Sequence, residues 1–203
     1  MNNYRNFPTK APWRDLEEPA VVRLVDRVLA SDHVSVFTET RIKRIGGGPG
    51  QFDVELESVD GEASFRAGSI VQATGWKPYD ATKLGHLGYG KSPDVVTNTE
   101  LEEMARNGGI KRPSDGAAPK DVVFVQCAGS RDKEHLSYCS AVCCRVSLKQ
   151  ALYVREQHPD AKAVILYRDM RAPAQWEDFY RRVQEDPGVF FNKGEVTEVE
   201  VAA

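Results

Sequence analysis

The chain has 203 residues, 41% of them hydrophobic, and its 27 basic and 30 acidic side chains give a formal net charge of −3. This composition is typical of a globular protein that buries a core. Because the charges are mixed along the whole length and form no basic stripe, the sequence argues against nucleic acid as a partner.

No stretch approaches the roughly 20 apolar residues that a membrane-spanning helix needs, and the polar start lacks the apolar region of a signal peptide. The sequence therefore predicts a cytoplasmic chain that reaches a membrane only through a partner. In a reducing compartment, four cysteines indicate metal or redox chemistry instead of structural disulfides.

The first half of the chain combines two helices with short strands. Apolar residues at helical spacing predict a helix over residues 17–29, and a second, shorter helix is predicted over 97–104 with Thr97 or Asn98 as its cap. Three strands are predicted over 33–38, 51–58 and 69–74, with a glycine-rich turn at 46–50. Residues 107–120, rich in Gly, Pro, Ser and Asp, have the composition of a domain linker.

From residue 121 onward the pattern changes to alternating strands and helices. The predicted strands are 122–125, 163–167 and 189–192, and the predicted helices are 142–157 and 176–184. This alternation is typical of a βαβ unit with a parallel sheet, so the fold class is predicted to be α/β.

All four cysteines lie in this second half, as Cys127, Cys139, Cys143 and Cys144. Cys127 ends the first strand of the βαβ unit, and the other three lie around the start of the helix that follows. The loop between strand and helix could bring all four sulfurs together. The free N–H groups and positive dipole end of a helix start would stabilise an anionic centre there.

A [4Fe–4S] cluster is the favoured occupant of these cysteines. Adjacent thiolates at Cys143 and Cys144 can each reach a different iron, whereas both reaching a single ion would strain the local backbone. A zinc ion, reactive thiols and unligated core cysteines remain as alternatives.

Residues 124–132, the segment 138–144 with its three cysteines, and residues 147–151 resemble the A-subunit family of heterodisulfide reductases. The chain resembles most closely the A-type subunit of the quinone-interacting membrane-bound oxidoreductase complex, because no ferredoxin-like cysteine insert follows residues 52–56. The resemblance covers about residues 35 to 200.

This resemblance implies an FAD/NAD(P)-binding fold of the thioredoxin-reductase-like type. Residues 1–106 would form a partial FAD-binding domain with a small β unit, 107–120 a linker, and 121–203 a Rossmann-like domain that carries the cluster motif. It also implies that the four cysteines ligate a [4Fe–4S] cluster and that Ala73, Thr74 and Gly75 pack beside FAD. No catalytic residue is assigned.

The amino-terminal FAD fingerprint of the family and any G-x-G-x-x-G loop are missing from the sequence. The chain is therefore expected to be a fragment without the first βαβ unit, one that does not retain FAD and is inactive by itself. Where ordinary reductases place a nucleotide-binding glycine loop, this chain has the turn around Cys127, so electrons are expected to pass through the cluster.

The expected function is that of an oxidoreductase subunit, which relays electrons through the cluster and, in the full-length protein, FAD. Its partners would be other redox subunits of a heterodisulfide-reductase-like or quinone-interacting complex, with adenylylsulfate reductase as a further candidate. The alternative is a non-redox zinc-binding or cluster-free docking module of a larger assembly.

Overall fold

The computed structural model describes residues 3–201, which form two compact units. One unit is Val21–Lys77, and the other combines the residues up to Ala20 with those from Pro78 onward. These units do not coincide with the predicted domains 1–106 and 121–203, and that domain division remains a prediction.

The smaller unit contains one helix and a three-stranded antiparallel sheet. Its elements are α1 (Val21–Leu29), β1 (Arg41–Gly48), β2 (Gln51–Ser58) and β3 (Gly61–Ala67), with the strands in the order β1-β2-β3. Tight turns join the strands, since Gly48 pairs with Gln51 and Ser58 pairs with Gly61. The predicted helix and the predicted strand 51–58 are confirmed, although the helix begins at Val21 instead of residue 17.

The predicted strands 33–38 and 69–74 are wrong, because the structure has no strand in either segment. Both segments are exposed along their whole length, and a β-prone sequence forms a strand only where it can pair with another strand. The turn predicted at 46–50 is shorter than expected, because β1 extends to Gly48.

The larger unit contains a parallel sheet with a helix between each pair of successive strands. Its elements are a 3-10 helix (Ala81–Leu87), α2 (Asn98–Arg106), β4 (Asp121–Val125), α3 (Cys143–Gln157), β5 (Lys162–Tyr167), α4 (Trp176–Gln184) and β6 (Val189–Lys193). The sheet order is β4-β5-β6, and both neighbouring pairs are parallel. The predicted α/β class and the alternation from residue 121 are confirmed.

Helix α3 lies at the centre of the core. Leu148, Ala151 and Val154 recur every three residues along it and are completely buried, together with Ile165 of β5 and Phe179 of α4. This apolar stripe packs α3 against the sheet and α4, and so fixes the direction of its first turn, where two cysteines lie. Within residues 3–201, none of the helices has the length and apolar character needed to cross a bilayer.

Helix α3 is also joined to α2 through a buried polar network. Glu102 of α2 is 5% exposed and Lys149 of α3 is 2% exposed, and their Oε1 and Nζ atoms lie 3.3 Å apart. The Tyr153 hydroxyl and the Tyr4 backbone N–H donate to the same oxygen, and the Gln150 amide donates to the other. A buried carboxylate with this many donors fixes α2 and α3 in one mutual position.

Candidate metal centre

The four cysteines lie at the junction between β4 and α3. Cys127 is in the turn directly after β4, Cys139 is in the following loop, and Cys143 and Cys144 begin α3. All four are free thiols, and Cys144 is the most buried, at 5% exposure. Because a crossover helix begins at the carboxyl end of the strand before it, this topology brings Cys127 close to the start of α3.

The Cys143 sulfur is surrounded by hydrogen-bond donors. The Cys144 thiol, the Ser140 hydroxyl and the backbone N–H groups of Cys127 and Cys144 all donate to it. These donors, with Cys144 the strongest, lower the pKa of Cys143 to about 5, although burial opposes the change. Cys143 is therefore a thiolate at neutral pH.

Cys144 has the opposite character. Its hydrogen bond to Cys143 and its burial raise its pKa, so it keeps its proton. The Cys144 sulfur also lies 3.7 Å from the Asp169 carbonyl oxygen, which accepts from the thiol. The two adjacent cysteines thus share one proton as a thiolate and a thiol.

Cys127 interacts electrostatically with both of these sulfurs. Burial raises the pKa of the Cys127 thiol, and the negative charge of Cys143 raises it further. The Arg131 and Arg168 guanidinium groups oppose this rise. Three of the four predicted ligands, Cys127, Cys143 and Cys144, are therefore brought together.

Cys139 is placed differently, because its sulfur accepts a hydrogen bond from the Ala141 backbone N–H at 3.4 Å, within its own loop. Over residues 3–201, no group of three or more His, Cys, Asp or Glu side chains is arranged as a metal ion would require. The assignment of all four cysteines as ligands remains a prediction.

The loop after β4 is held in an unfavourable backbone conformation. Cys127, Arg131 and Ala141 have φ values of 60°, 56° and 57°, which account for three of the six positive φ values among non-glycine residues in the described part of the chain. Residues in this region cost about 1 to 3 kcal/mol each and concentrate at functional sites. Their concentration around the cysteines supports a functional loop.

Internal hydrogen bonds hold this loop in place. The Arg131 N–H donates to the Tyr138 carbonyl at 3.0 Å, and the Leu136 N–H donates to the Gly129 carbonyl at 3.1 Å. His135 shares a 2.8 Å hydrogen bond between its Nδ1 atom and the Tyr79 hydroxyl. The loop is thus attached to the residues that precede the 3-10 helix.

Charged residues that the sequence analysis did not connect lie beside the sulfurs. Arg131 Nη1 is 2.7 Å from Asp169 Oδ2, and this guanidinium lowers the pKa of Asp169. Arg168 donates to the Arg131 carbonyl at 3.2 Å and pairs with Glu195. A signal did exist in the sequence, because Arg131 and Asp169 follow β4 and β5, whose carboxyl ends meet at one edge of a parallel sheet.

The residues predicted to pack beside FAD lie in the smaller unit. Ala73, Thr74 and Gly75 form part of an exposed segment without strand pairing, and Gly75 has a φ of 70° that suits a tight turn. Their proposed role remains a prediction.

The fold and the clustered cysteines define an α/β protein with a thiol-rich site at the junction of a strand and a helix. Known proteins are similar in sequence, although no family model matches the chain. The chain is 43% identical over 153 residues to the A subunit of the ferredoxin/F420H2-dependent CoB-CoM heterodisulfide reductase of Methanosarcina acetivorans, a match that covers 72% of this chain and 19% of that protein.

Two further relatives carry iron–sulfur in their names. The first of two iron-sulfur A subunits of the CoB–CoM heterodisulfide reductase of Methanopyrus kandleri is 39% identical over 158 residues, covering 73% of this chain and 23% of that protein. The iron-sulfur A subunit of the CoB–CoM heterodisulfide reductase of Methanocaldococcus jannaschii is 39% identical over 159 residues, covering 75% and 24%.

The resemblance to the A subunit of heterodisulfide reductases is confirmed, because the chain is similar to a segment of that protein, as a fragment of it would be. The matches span only 19% to 24% of these relatives' own length.

Proposed function

We propose that this chain is the cluster-bearing segment of an oxidoreductase subunit, in which Cys127, Cys139, Cys143 and Cys144 hold a [4Fe–4S] cluster. The observation that carries the proposal is the Cys143 thiolate at the start of α3, with the Cys127 and Cys144 sulfurs beside it. The iron–sulfur names of two relatives support the same chemistry.

The residues present suit such a group. Thiolates are the ligands that iron–sulfur clusters use, and the N–H groups at the start of α3 favour an anionic occupant. The buried Gln126 side chain, next to Cys127, has no hydrogen-bond partner for its amide oxygen or nitrogen within residues 3–201. An unsatisfied amide is expected beside a group that the protein's own atoms do not supply.

Each part of the site has a distinct task in this proposal. The turn after β4 presents Cys127, the start of α3 presents Cys143 and Cys144, and the exposed loop carries Cys139 to complete the set. Arg131 and Arg168 offset the negative charge of the thiolates. A bound cluster would supply one-electron transfer.

The wider assignment follows the relatives. Residues 121–203 would be a Rossmann-like domain of the FAD/NAD(P)-binding type in which the cysteine turn replaces a glycine loop. Residues 1–106 would be part of an FAD domain, with Ala73, Thr74 and Gly75 beside the flavin in the full-length protein. The fragment alone would be inactive and would not retain FAD.

The partners in this proposal are other redox subunits of a heterodisulfide-reductase-like complex. The quinone-interacting complex, with adenylylsulfate reductase as the soluble partner, is the more specific version and rests on the missing ferredoxin-like insert after residues 52–56. In either version the chain would work in the cytoplasm and reach a membrane only through a partner.

Anaerobic reconstitution with iron and sulfide tests the proposal. We expect a brown protein with about four irons and four sulfides per chain and a paramagnetic signal after reduction. Replacing any of the four cysteines with Ser should lower the iron content. His135→Ala is the control, because this histidine lies in the same loop and is bonded to Tyr79. A colourless protein with one zinc ion would overturn the proposal in favour of the non-redox docking module.

A further inference from the structure

An ion pair borders the cysteine sulfurs. Arg131 follows β4 and Asp169 follows β5, and their side chains meet with Nη1 and Oδ2 2.7 Å apart. The Asp169 carbonyl accepts from the Cys144 thiol at 3.7 Å, so Asp169 contacts both the sulfurs and the cation. A positive and a negative charge are therefore held side by side at the edge of the site.

The position of Arg131 is strongly constrained. Its backbone has a φ of 56°, its N–H donates to Tyr138, and its carbonyl accepts from Arg168. The Nη1 atom is buried and its approach to Asp169 is not aligned as a hydrogen bond, so its N–H groups remain available to another acceptor. Backbone strain of this kind persists only where the surrounding structure enforces it.

We infer that Arg131 and Asp169 are positioning residues whose opposite charges set the reduction potential of the cysteine site. This inference rests on the proposed function. In the reduction step one electron from a low-potential donor adds to the site, and no bond at Arg131 or Asp169 forms or breaks. Because the site becomes more negative, Arg131 favours the reduced state and Asp169 disfavours it.

Two substitutions are expected to act in opposite directions. Arg131→Met removes the cation, so the potential becomes more negative. Asp169→Asn keeps the size of the side chain and removes the anion, so the potential becomes less negative. We expect each change to alter the equilibrium constant for reduction about tenfold, which corresponds to about 59 mV for a one-electron couple. Arg131→Lys keeps the charge and should restore most of the shift.

The pair Arg14 and Glu185 provides a matched control in the same unit. Its side chains are 32% and 58% exposed, compared with 24% and 51% for Arg131 and Asp169. Arg14→Met and Glu185→Gln therefore remove the same charges at similar exposure away from the cysteine loop. Both variants should keep the potential of the unsubstituted chain.

The measurement is a potentiometric titration of the reconstituted chain, followed by the paramagnetic signal of the reduced state. Opposite shifts for Arg131→Met and Asp169→Asn, with unchanged controls, would support the inference. Equal shifts, or shifts no larger than those of the controls, would overturn it. If Arg131→Met does not assemble, Asp169→Asn decides alone. An unsubstituted chain that binds no cluster would instead refute the proposed function.

Discussion

The buried carboxylate of Glu102 gives the sharpest test of how the core holds the cysteine-bearing helix. Its Oε1 atom accepts from Lys149 at 3.3 Å, from the Tyr153 hydroxyl at 2.9 Å and from the Tyr4 N–H at 2.8 Å. Its Oε2 atom accepts from Gln150 at 3.1 Å. We consider Glu102→Leu, Lys149→Met and the double variant.

The two single changes are expected to differ in cost. Glu102→Leu leaves the Lys149 charge buried with only the Arg5 carbonyl, at 3.2 Å, as a remaining acceptor. An uncompensated buried charge costs about 3 to 5 kcal/mol of unfolding free energy. Lys149→Met leaves Glu102 with three donors, so its cost is that of one charged hydrogen bond, about 1.5 to 3 kcal/mol.

The double variant should cost less than the sum of the single variants. Once Glu102 is gone, removing Lys149 relieves the buried charge, so we expect a coupling of about 1 to 3 kcal/mol. Urea unfolding of the three variants and the parent chain measures all four free energies. Additivity within about 0.5 kcal/mol, or a Lys149→Met change as costly as Glu102→Leu, would refute the reasoning.

Three further predictions concern single positions. Thr97→Ala removes the side-chain cap of α2 and should cost about 1 kcal/mol in urea unfolding, whereas Thr97→Ser should retain most of the stability. Gly129 and Gly116 share a φ of 73°, but only at Gly129 would a Cβ atom come within 2.7 Å of the Tyr79 ring. Gly129→Ala should therefore destabilise the chain more than Gly116→Ala, and equal unfolding midpoints would contradict this. In the iron-free chain, alkylation of Cys143 by iodoacetamide should keep its pH 7 rate down to about pH 5. Because the folded pKa is lowered, the stability contributed by this thiolate is present above the ordinary thiol pKa and is lost as the pH falls through about 5. A rate that already falls below pH 8 would contradict the lowered pKa.

Local patterns were sufficient to predict the βαβ half of the chain. The helix predicted at 176–184 coincides with α4, and the one predicted at 142–157 differs from α3 by one residue. Here the apolar residues face one continuous core, so their spacing reports the element directly. The same reasoning placed Cys127 at a strand end and Cys143 at a helix start.

The small antiparallel sheet could not be predicted in this way. Strand β1 has two charged residues between its isoleucines and ends in three glycines, all of which disfavour strands. It forms because it pairs with β2, whose Val54 and Leu56 are buried. Strand formation here depends on a neighbour, which local composition does not report.

The environment of Lys149 was also beyond the reach of local patterns. Its sequence neighbours suggest a solvated helix cation, but its partner Glu102 lies 47 residues earlier in the chain. Burial of such a group depends on two helices meeting, and only the tertiary structure reveals it.

The anchoring of α3 has a consequence for how the four cysteines could come together. Lys149 and the apolar stripe fix α3 in the core, so Cys143 and Cys144 lie on a rigid element, and Cys127 is fixed next to them by the end of β4. Cys139 is exposed to solvent to an intermediate degree and is held by bonds within its own loop. Since three sulfurs already interact, assembling the full ligand set requires only the loop around Cys139 to rearrange, while the helix and the sheet keep their positions. A ligand carried by a short loop is the economical choice for the moving part, because loop rearrangement leaves the buried contacts of the core intact.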